Sequence, residues 1–244
     1  MNEIVHMLQR CKLFCNLEAS VIEEHILPAG NVLQCSQNTA LILGQDIIDW
    51  FAVLLQGRVQ ISQNHSDGKR NLMAILQPPS VIAADLICTR TRRAPYDAIA
   101  AEDSRLLCFP IDWLMGRRLE QDIQISIFRQ LMTLVSHDNM RKHYRIAILS
   151  QKELRSRILT YLTMQAERLG RSRFMIPFNR EELADYLCVN RSALSHELKK
   201  MEREGILRTR KNLFIIYRIE DRNLGTPEQS RVEQGFLFAS ERTE

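Results

Sequence analysis

The sequence predicts an α+β fold in which an antiparallel roll of short strands, one long helix and a compact helical motif with a β-hairpin follow one another. Three observations carry that prediction. Residues 31–110 hold short runs rich in Val, Ile and Leu, among them FAVLLQGRVQIS, RNLMAIL, SVIAADLIC and SRLLCFP, separated by turn residues. Residues 119–149 contain neither Pro nor Gly and repeat apolar side chains near a coiled-coil period. Residues 180–207 read as a short amphipathic helix, a tight turn and a second helix.

In chain order, Val5, Leu8, Leu13, Leu17, Val21 and Ile22 have helical spacing and predict short helices, closed by Pro28-Ala29-Gly30. The strand-like runs that follow predict the roll, with Asp67-Gly68 at a hairpin position. Residues 111–149 return to helical spacing through Ile123, Ile127, Leu131, Leu134, Met140, Tyr144 and Ile148. A helix over 119–149 would run roughly 45 Å at 1.5 Å per residue, longer than one small roll covers. The simplest cover for its apolar stripe is a second copy, so Ile123, Ile127, Leu131 and Leu134 are the expected contacts of a homodimer.

A further helix starts after Ser150, with Ser150 and Glu153 spaced as a capping box and Leu154, Ile158, Leu159 and Leu162 on one face. FMIP at 174–177 is a short strand. In the two-helix motif Leu183 and Leu187 share a stripe, Ala184 is small where the helices must approach, and Leu194, Leu198 and Met201 repeat the spacing. Gly205 closes the second helix, and ILRTRKNLFIIYRI reads as two strands turning at Lys211-Asn212, which completes a winged helix-turn-helix. The expected domains are 1–149, a roll with a dimerisation helix at about 111–149; 150–219, the winged motif; and 220–244, a polar tail with no assigned role.

Charge separates these regions. The formal net charge of +4 divides into 0 over 1–149, +7 over 150–219 (15 Lys and Arg against 8 Asp and Glu) and −3 over 220–244. A polyanion would meet the winged segment, because cationic side chains release counterions from phosphates. The outward face of the second helix offers Arg191, Ser192, Ser195, His196 and Lys199, all hydrogen-bonding types. No apolar run approaches the roughly 20 residues of a membrane span, and MNEIVHMLQR lacks the order of a signal peptide, so a cytoplasmic protein is expected. The six cysteines, at 11, 15, 35, 88, 108 and 188, form no CxxC and no Cys/His doublets, so they are read as reduced, small core residues and no metal site is expected. Ser192 and His196 lie four apart, but no companion carboxylate accompanies them, and an enzyme is not expected.

Taken together, NREELADYLCVNRSALSHELKKMEREGIL and the order of roll, long helix and winged motif resemble the Crp/Fnr superfamily of bacterial transcription regulators over about residues 5–219. The resemblance implies a cyclic-nucleotide-binding-like roll, a homodimer, double-stranded DNA as partner and contact with RNA polymerase. It places Arg191 at a base edge or the adjacent phosphate, where its fork suits guanine. Ser192 falls where many relatives carry a base-reading Glu and His196 where an Arg is common, so the sequence read should differ from the best-known sites. Ser195 is the remaining base-reading candidate. Arg180, Asn190, Lys199, Arg210 and Lys211 are the phosphate candidates. Cys188 stands where a Gly is often found in the inter-helix turn.

For the sensor, the resemblance aligns Ala84-Asp85 with a Gly-Glu pair and Ala94-Pro95 with the Arg-Ser pair that clamps a cyclic nucleotide in relatives. Without that arginine the phosphate contact is lost, which argues against cyclic AMP unless Arg92 or Arg93 serves through a shifted register. Asp85, Arg92 and Arg93 are therefore the effector-pocket candidates, with an effector of unknown identity and no cofactor. Cys11, Cys15, Cys35 and Cys88 lack the iron-sulfur spacing, and haem ligation by His65 has no supporting pattern. The competing reading is a ligand or redox sensor acting through protein partners, without sequence-specific DNA reading.

Overall fold

The computed structural model describes residues 3–64 and 70–217, and the chain divides after Ala147 into two compact units. In the first, α1 (Glu3–Arg10) buries Val5 and Leu8, and a short turn α2 (Ala19–Val21) runs on through a π turn at Ile22–Ile26 and a 3₁₀ turn at Leu27–Ala29. Eight strands follow: β1 (Asn31–Cys35), β2 (Ala40–Ile42), β3 (Trp50–Gln56), β4 (Val59–Asn64), β5 (Arg70–Leu76), β6 (Val81–Ile82), β7 (Asp97–Ala100) and β8 (Ser104–Pro110). They form two antiparallel sheets in the orders β1-β8-β3-β6 and β2-β7-β4-β5.

Strand alternation gives the roll two cores. Ala52, Leu54 and Leu106 point between the sheets, while Phe51, Val53, Leu107 and Phe109 point to the other face and meet the N-terminal helices. On that second face Phe109 stacks on Phe51 and Trp113 with ring centroids 5.2 and 5.3 Å apart. The run SVIAADLIC is not one strand. Only Val81–Ile82 pairs; Ala83 turns left-handed (φ 62°) and Ala84–Leu86 forms a 3₁₀ turn. A continuous apolar run has no alternation to distinguish strand from turn, and Leu86 reaches the core from the turn. The hairpin of β4 and β5 is paired from Asn64↔Arg70 onward, and Asp67-Gly68 and His65 lie outside the described residues, as does the tail at 220–244.

After α3 (Ile111–Met115) comes the long helix α4 (Gln121–Leu149), 29 residues. Its first half corrects the expected dimer stripe. Ile123, Ile127 and Leu131 are buried in the same cluster as Phe14, Phe109 and Leu114, and Leu134 packs against it. The N-terminal helices and α3 add an apolar layer outside the roll, and this face of α4 covers it. A different stripe remains open: Ile125, Met132, Val135 and Ile146 are 40, 72, 37 and 64% exposed. Farther along α4, Arg145 donates to the Leu72 carbonyl (2.9 Å) and to the Asn71 side chain.

The second unit holds α5 (Leu154–Leu169), β9 (Arg173–Met175), α6 (Arg180–Tyr186), α7 (Arg191–Arg203), β10 (Leu207–Arg210) and β11 (Leu213–Ile216), with the sheet order β10-β11-β9. Glu153 is itself the N-cap of α5, so it does not occupy the third helical position that a Ser150–Glu153 box requires. The chain is still closing α4 there, with Gln151 N–H donating to the Ile148 carbonyl. Tyr161, Phe178 and Tyr186 cluster with centroids 4.7–6.0 Å apart, joining α5 to α6.

Because Ile127 is fully buried in its own unit, Ile127→Ala should lower the unfolding free energy by about 2–5 kcal/mol in urea denaturation. A loss below about 1 kcal/mol at equal oligomeric state would place the side chain elsewhere.

Candidate nucleic-acid interface

Helix α6 is fixed by a capping box that the sequence reading did not pick out, although N-x-x-E at 179–182 is its signature. The Asn179 carboxamide oxygen accepts from Glu181 N–H (3.0 Å) and Glu182 N–H (2.9 Å), and Glu182 Oε2 accepts from Asn179 N–H (2.8 Å). Leu183, Ala184 and Leu187 are buried against Leu194, Leu198 and Met201 of the second helix, as their spacing indicated. The turn between them is a Schellman motif. Val189 N–H donates to the Ala184 carbonyl and Cys188 N–H to that of Asp185, while Cys188 itself is left-handed (φ 55°). The glycine-like position noted in the sequence is thus held by a residue with a Cβ. Gly205 ends α7 in the same way (φ 71°), with Ile206 N–H donating to the Met201 carbonyl.

With its apolar side turned inward, α7 leaves Arg191, Ser192, His196 and Lys199 exposed and Ser195 half-buried. Its N-cap Asn190 is exposed and, unlike Asn179, makes no side-chain cap bond, so among the described residues no side chain caps the first-turn N–H groups. The wing turn brings Lys211 to φ 54° and leaves Arg210 and Lys211 exposed. Arg180 is different from the other phosphate candidates. Its guanidinium lies over the Phe214 ring at 5.6 Å and donates from Nη2 to Thr209 Oγ1 (3.0 Å) and the Lys211 carbonyl (3.3 Å). Burial holds its pKa below the ordinary arginine value, an effect offset in part by Glu202. Arg180 therefore ties α6 to the wing. Glu202 makes a parallel tie from α7, accepting from Thr209 N–H at 2.7 Å.

The three effector-pocket candidates are not brought together. Asp85 accepts from the Tyr96 hydroxyl (2.6 Å) and pairs with Lys142 of α4 (3.7 Å). Burial, with Asp85 beside it, raises the Tyr96 pKa. Arg92 instead pairs with Asp112 (2.8 Å), and Arg93 donates to the Gln45 carbonyl (2.7 Å). Both arginines serve as loop ties, with partners separate from those of Asp85. The cysteines also divide: Cys11 is buried, which pushes its thiol up to about 12, Cys35 and Cys108 are half-buried, and Cys15, Cys88 and Cys188 are exposed rather than in the core. Among the described residues no group of three or more His, Cys, Asp or Glu side chains is placed to hold a metal ion, and no helix is long and apolar enough to cross a membrane.

Two family models match the chain: a cyclic nucleotide-binding domain over residues 32–115 and a Crp-like helix-turn-helix domain over residues 156–222. The transcriptional activator protein FnrL of Cereibacter sphaeroides is 25% identical over 185 residues, which cover 68% of each chain. Among solved structures, FixK2 from Bradyrhizobium japonicum superposes with a TM-score of 0.61 at 17% identity, covering 78% of this chain and 93% of its own. The c-di-GMP responsive global regulator CLP of Xanthomonas campestris does so with 0.66 at 14%, covering 83% and 100%. At these identities the two structures establish the fold.

The left-handed turn residue gives a direct test. A side chain there costs about 1–2 kcal/mol, and glycine removes that cost while adding unfolded-state entropy of about 0.5–1 kcal/mol. Cys188→Gly should therefore keep or slightly raise thermal stability, whereas β-branched Cys188→Val should lower it measurably. Equal destabilisation by both would mean that the thiol's packing, and not the backbone, governs the turn.

Proposed function

The chain belongs to the Crp/Fnr family of DNA-binding transcription regulators, and we propose that it acts as a homodimer reading a pseudo-palindromic operator, one α7 per half-site about one helical turn apart. The observation that carries this reading is the exposed first turn of α7. Arg191 and Ser192 project from it and His196 from the next turn, and among the described residues no side chain caps its N–H groups, in a segment of charge +7. Arg191 reads guanine, Ser192 and His196 read neighbouring edges, and Ser195, half-buried, contributes at shorter reach. Asn190, Lys199, Arg210 and Lys211 hold the phosphates, together with the N–H groups of the first turn. Ser192 and His196 act as hydrogen-bonding groups, with no catalytic role.

The second copy binds along the open stripe of α4, where Ile125, Met132, Asn139 and Ile146 recur every seven residues beside Val135. A signal acting on the roll shifts the dimer between binding and non-binding arrangements. Against cyclic AMP as that signal, Asp85 is engaged by Tyr96 and Lys142, and Arg92 and Arg93 are paired elsewhere. RNA polymerase is the expected protein partner on the family's example, and a cytoplasmic location follows from the DNA target.

Selection of genomic fragments by the purified protein tests the reading. Enrichment of one two-fold-related sequence is expected, and Arg191→Ala should weaken binding to it by about 1–3 kcal/mol and relax preference at one base pair per half-site. Retention of full affinity and preference would remove Arg191 from base reading. Met132→Glu should convert the dimer to a folded monomer in sedimentation velocity, while a dimer that survives would move the interface off α4.

A further inference from the structure

Apolar packing holds α7 in place, but it is non-directional. The seam of Leu194, Leu198 and Met201 would tolerate small rotations of the helix about its axis. Such a rotation would swing every base-reading side chain. Charge-assisted hydrogen bonds are directional, and three of them meet α7 from α5. Arg155 Nε donates to Glu197 Oε1 (2.7 Å), and its Nη1 and Nη2 donate to the two carboxylate oxygens of Glu204 (2.7 and 3.0 Å). Glu197 and Glu204 lie seven residues apart, two helical turns, so one guanidinium grips α7 at its middle and at its end. Glu197 also directly follows His196.

We propose that Arg155 is a positioning residue for DNA reading: by bridging Glu197 and Glu204 it fixes the rotation of α7 on α5, and with it the direction in which Arg191, Ser192 and His196 point. The geometry is that of a clamp. The planar fork binds one carboxylate bidentately and leaves Nε for the other, an arrangement a lysine cannot reproduce. The bonds to Glu204 and then to Glu197 raise the Arg155 pKa, and the contact with Arg155 lowers that of Glu204, so the Arg155–Glu204 pair stays charged near neutrality. The clamp also neutralises two acidic groups on the helix that must approach phosphates. Orientation and neutralisation are separable effects, and the proposal concerns orientation.

The proposal rests on the operator reading above, and the test uses the full chain with the selected operator and a scrambled duplex of equal length. Arg155→Met, Arg155→Lys and the triple variant Arg155→Met/Glu197→Gln/Glu204→Gln are compared with the unmodified protein by fluorescence anisotropy, with thermal melts to show that each is folded. Arg155→Met should reduce the ratio of operator to scrambled affinity by roughly tenfold or more, as expected for misplaced recognition groups. Arg155→Lys should fall between, and the triple variant should stay low although the carboxylate charges are gone. Recovery of the ratio in the triple variant would reduce Arg155 to a charge neutraliser. A lowered melting temperature with an unchanged ratio would make it a stability contact only; either result overturns the proposal. If the unmodified protein itself fails to discriminate, operator reading has failed, and the clamp is decided by amide exchange of DNA-free protein over 191–203. Exchange roughly tenfold faster in Arg155→Met supports it, and unchanged exchange overturns it.

Discussion

One helix has to serve two apolar surfaces, and the N-terminal unit is organised around that constraint. The face of α4 carrying Ile123, Ile127 and Leu131 closes the layer formed by the N-terminal helices, α3 and the outer side of the roll. Without it Phe14, Phe109 and Leu114 would border solvent, at a cost of about 25 cal/mol for each Å² of apolar surface. That contact ends near Leu134, and beyond it the helix is held by polar ties to the roll through Lys142 and Arg145. The opposite stripe stays exposed, and the proposed second copy would cover it. Asn139 within it would disfavour shifted registers, as a polar group in an apolar seam does.

In the C-terminal unit the division of labour is between packing and direction. Leucines and Met201 supply the attraction between α6 and α7. The capping box, the Schellman turn, Glu202 on Thr209 and the Arg155 clamp supply the geometry. Thr209 is a junction, since its N–H meets Glu202 from α7 and its hydroxyl meets Arg180 from α6. The wing is thereby tied to both helices of the motif. Arg180 thus joins the binding surface's framework, with its Nη1 buried and without a hydrogen-bond partner among the described residues.

What the sequence disclosed follows from how local each signal is. The helical motif was legible because Leu183, Leu187, Leu194, Leu198 and Met201 mark their faces by spacing alone, and Gly205 marks its own turn. The length of α4 was legible from a run without Pro or Gly. Which stripe of α4 faced inward was not, because two apolar stripes on one helix blur into a single period, and only the layer over Phe109 decides between them. The Asp85, Arg92 and Arg93 grouping was drawn from positions aligned with relatives, and in the structure the three side chains take separate partners. Proximity in sequence says nothing about whether Asp112 or the Gln45 carbonyl stands closer to an arginine. Arg155 is 42 and 49 residues from its partners and leaves no periodic trace.

The engagement of Asp85 changes what a ligand of the roll would have to do. Tyr96 and Lys142 are covalently part of the same unit, so they compete for that carboxylate as tethered groups, with an effective concentration on the order of millimolar or above. A molecule arriving from solution at micromolar levels would meet an opponent that never dilutes. Its apparent dissociation constant would be its intrinsic one divided by the fraction of molecules in which the internal pair is open. Weak or scarce metabolites would be screened out by that ratio, and the concentration needed for half-occupancy would be written in the strength of one tyrosine and one lysine contact.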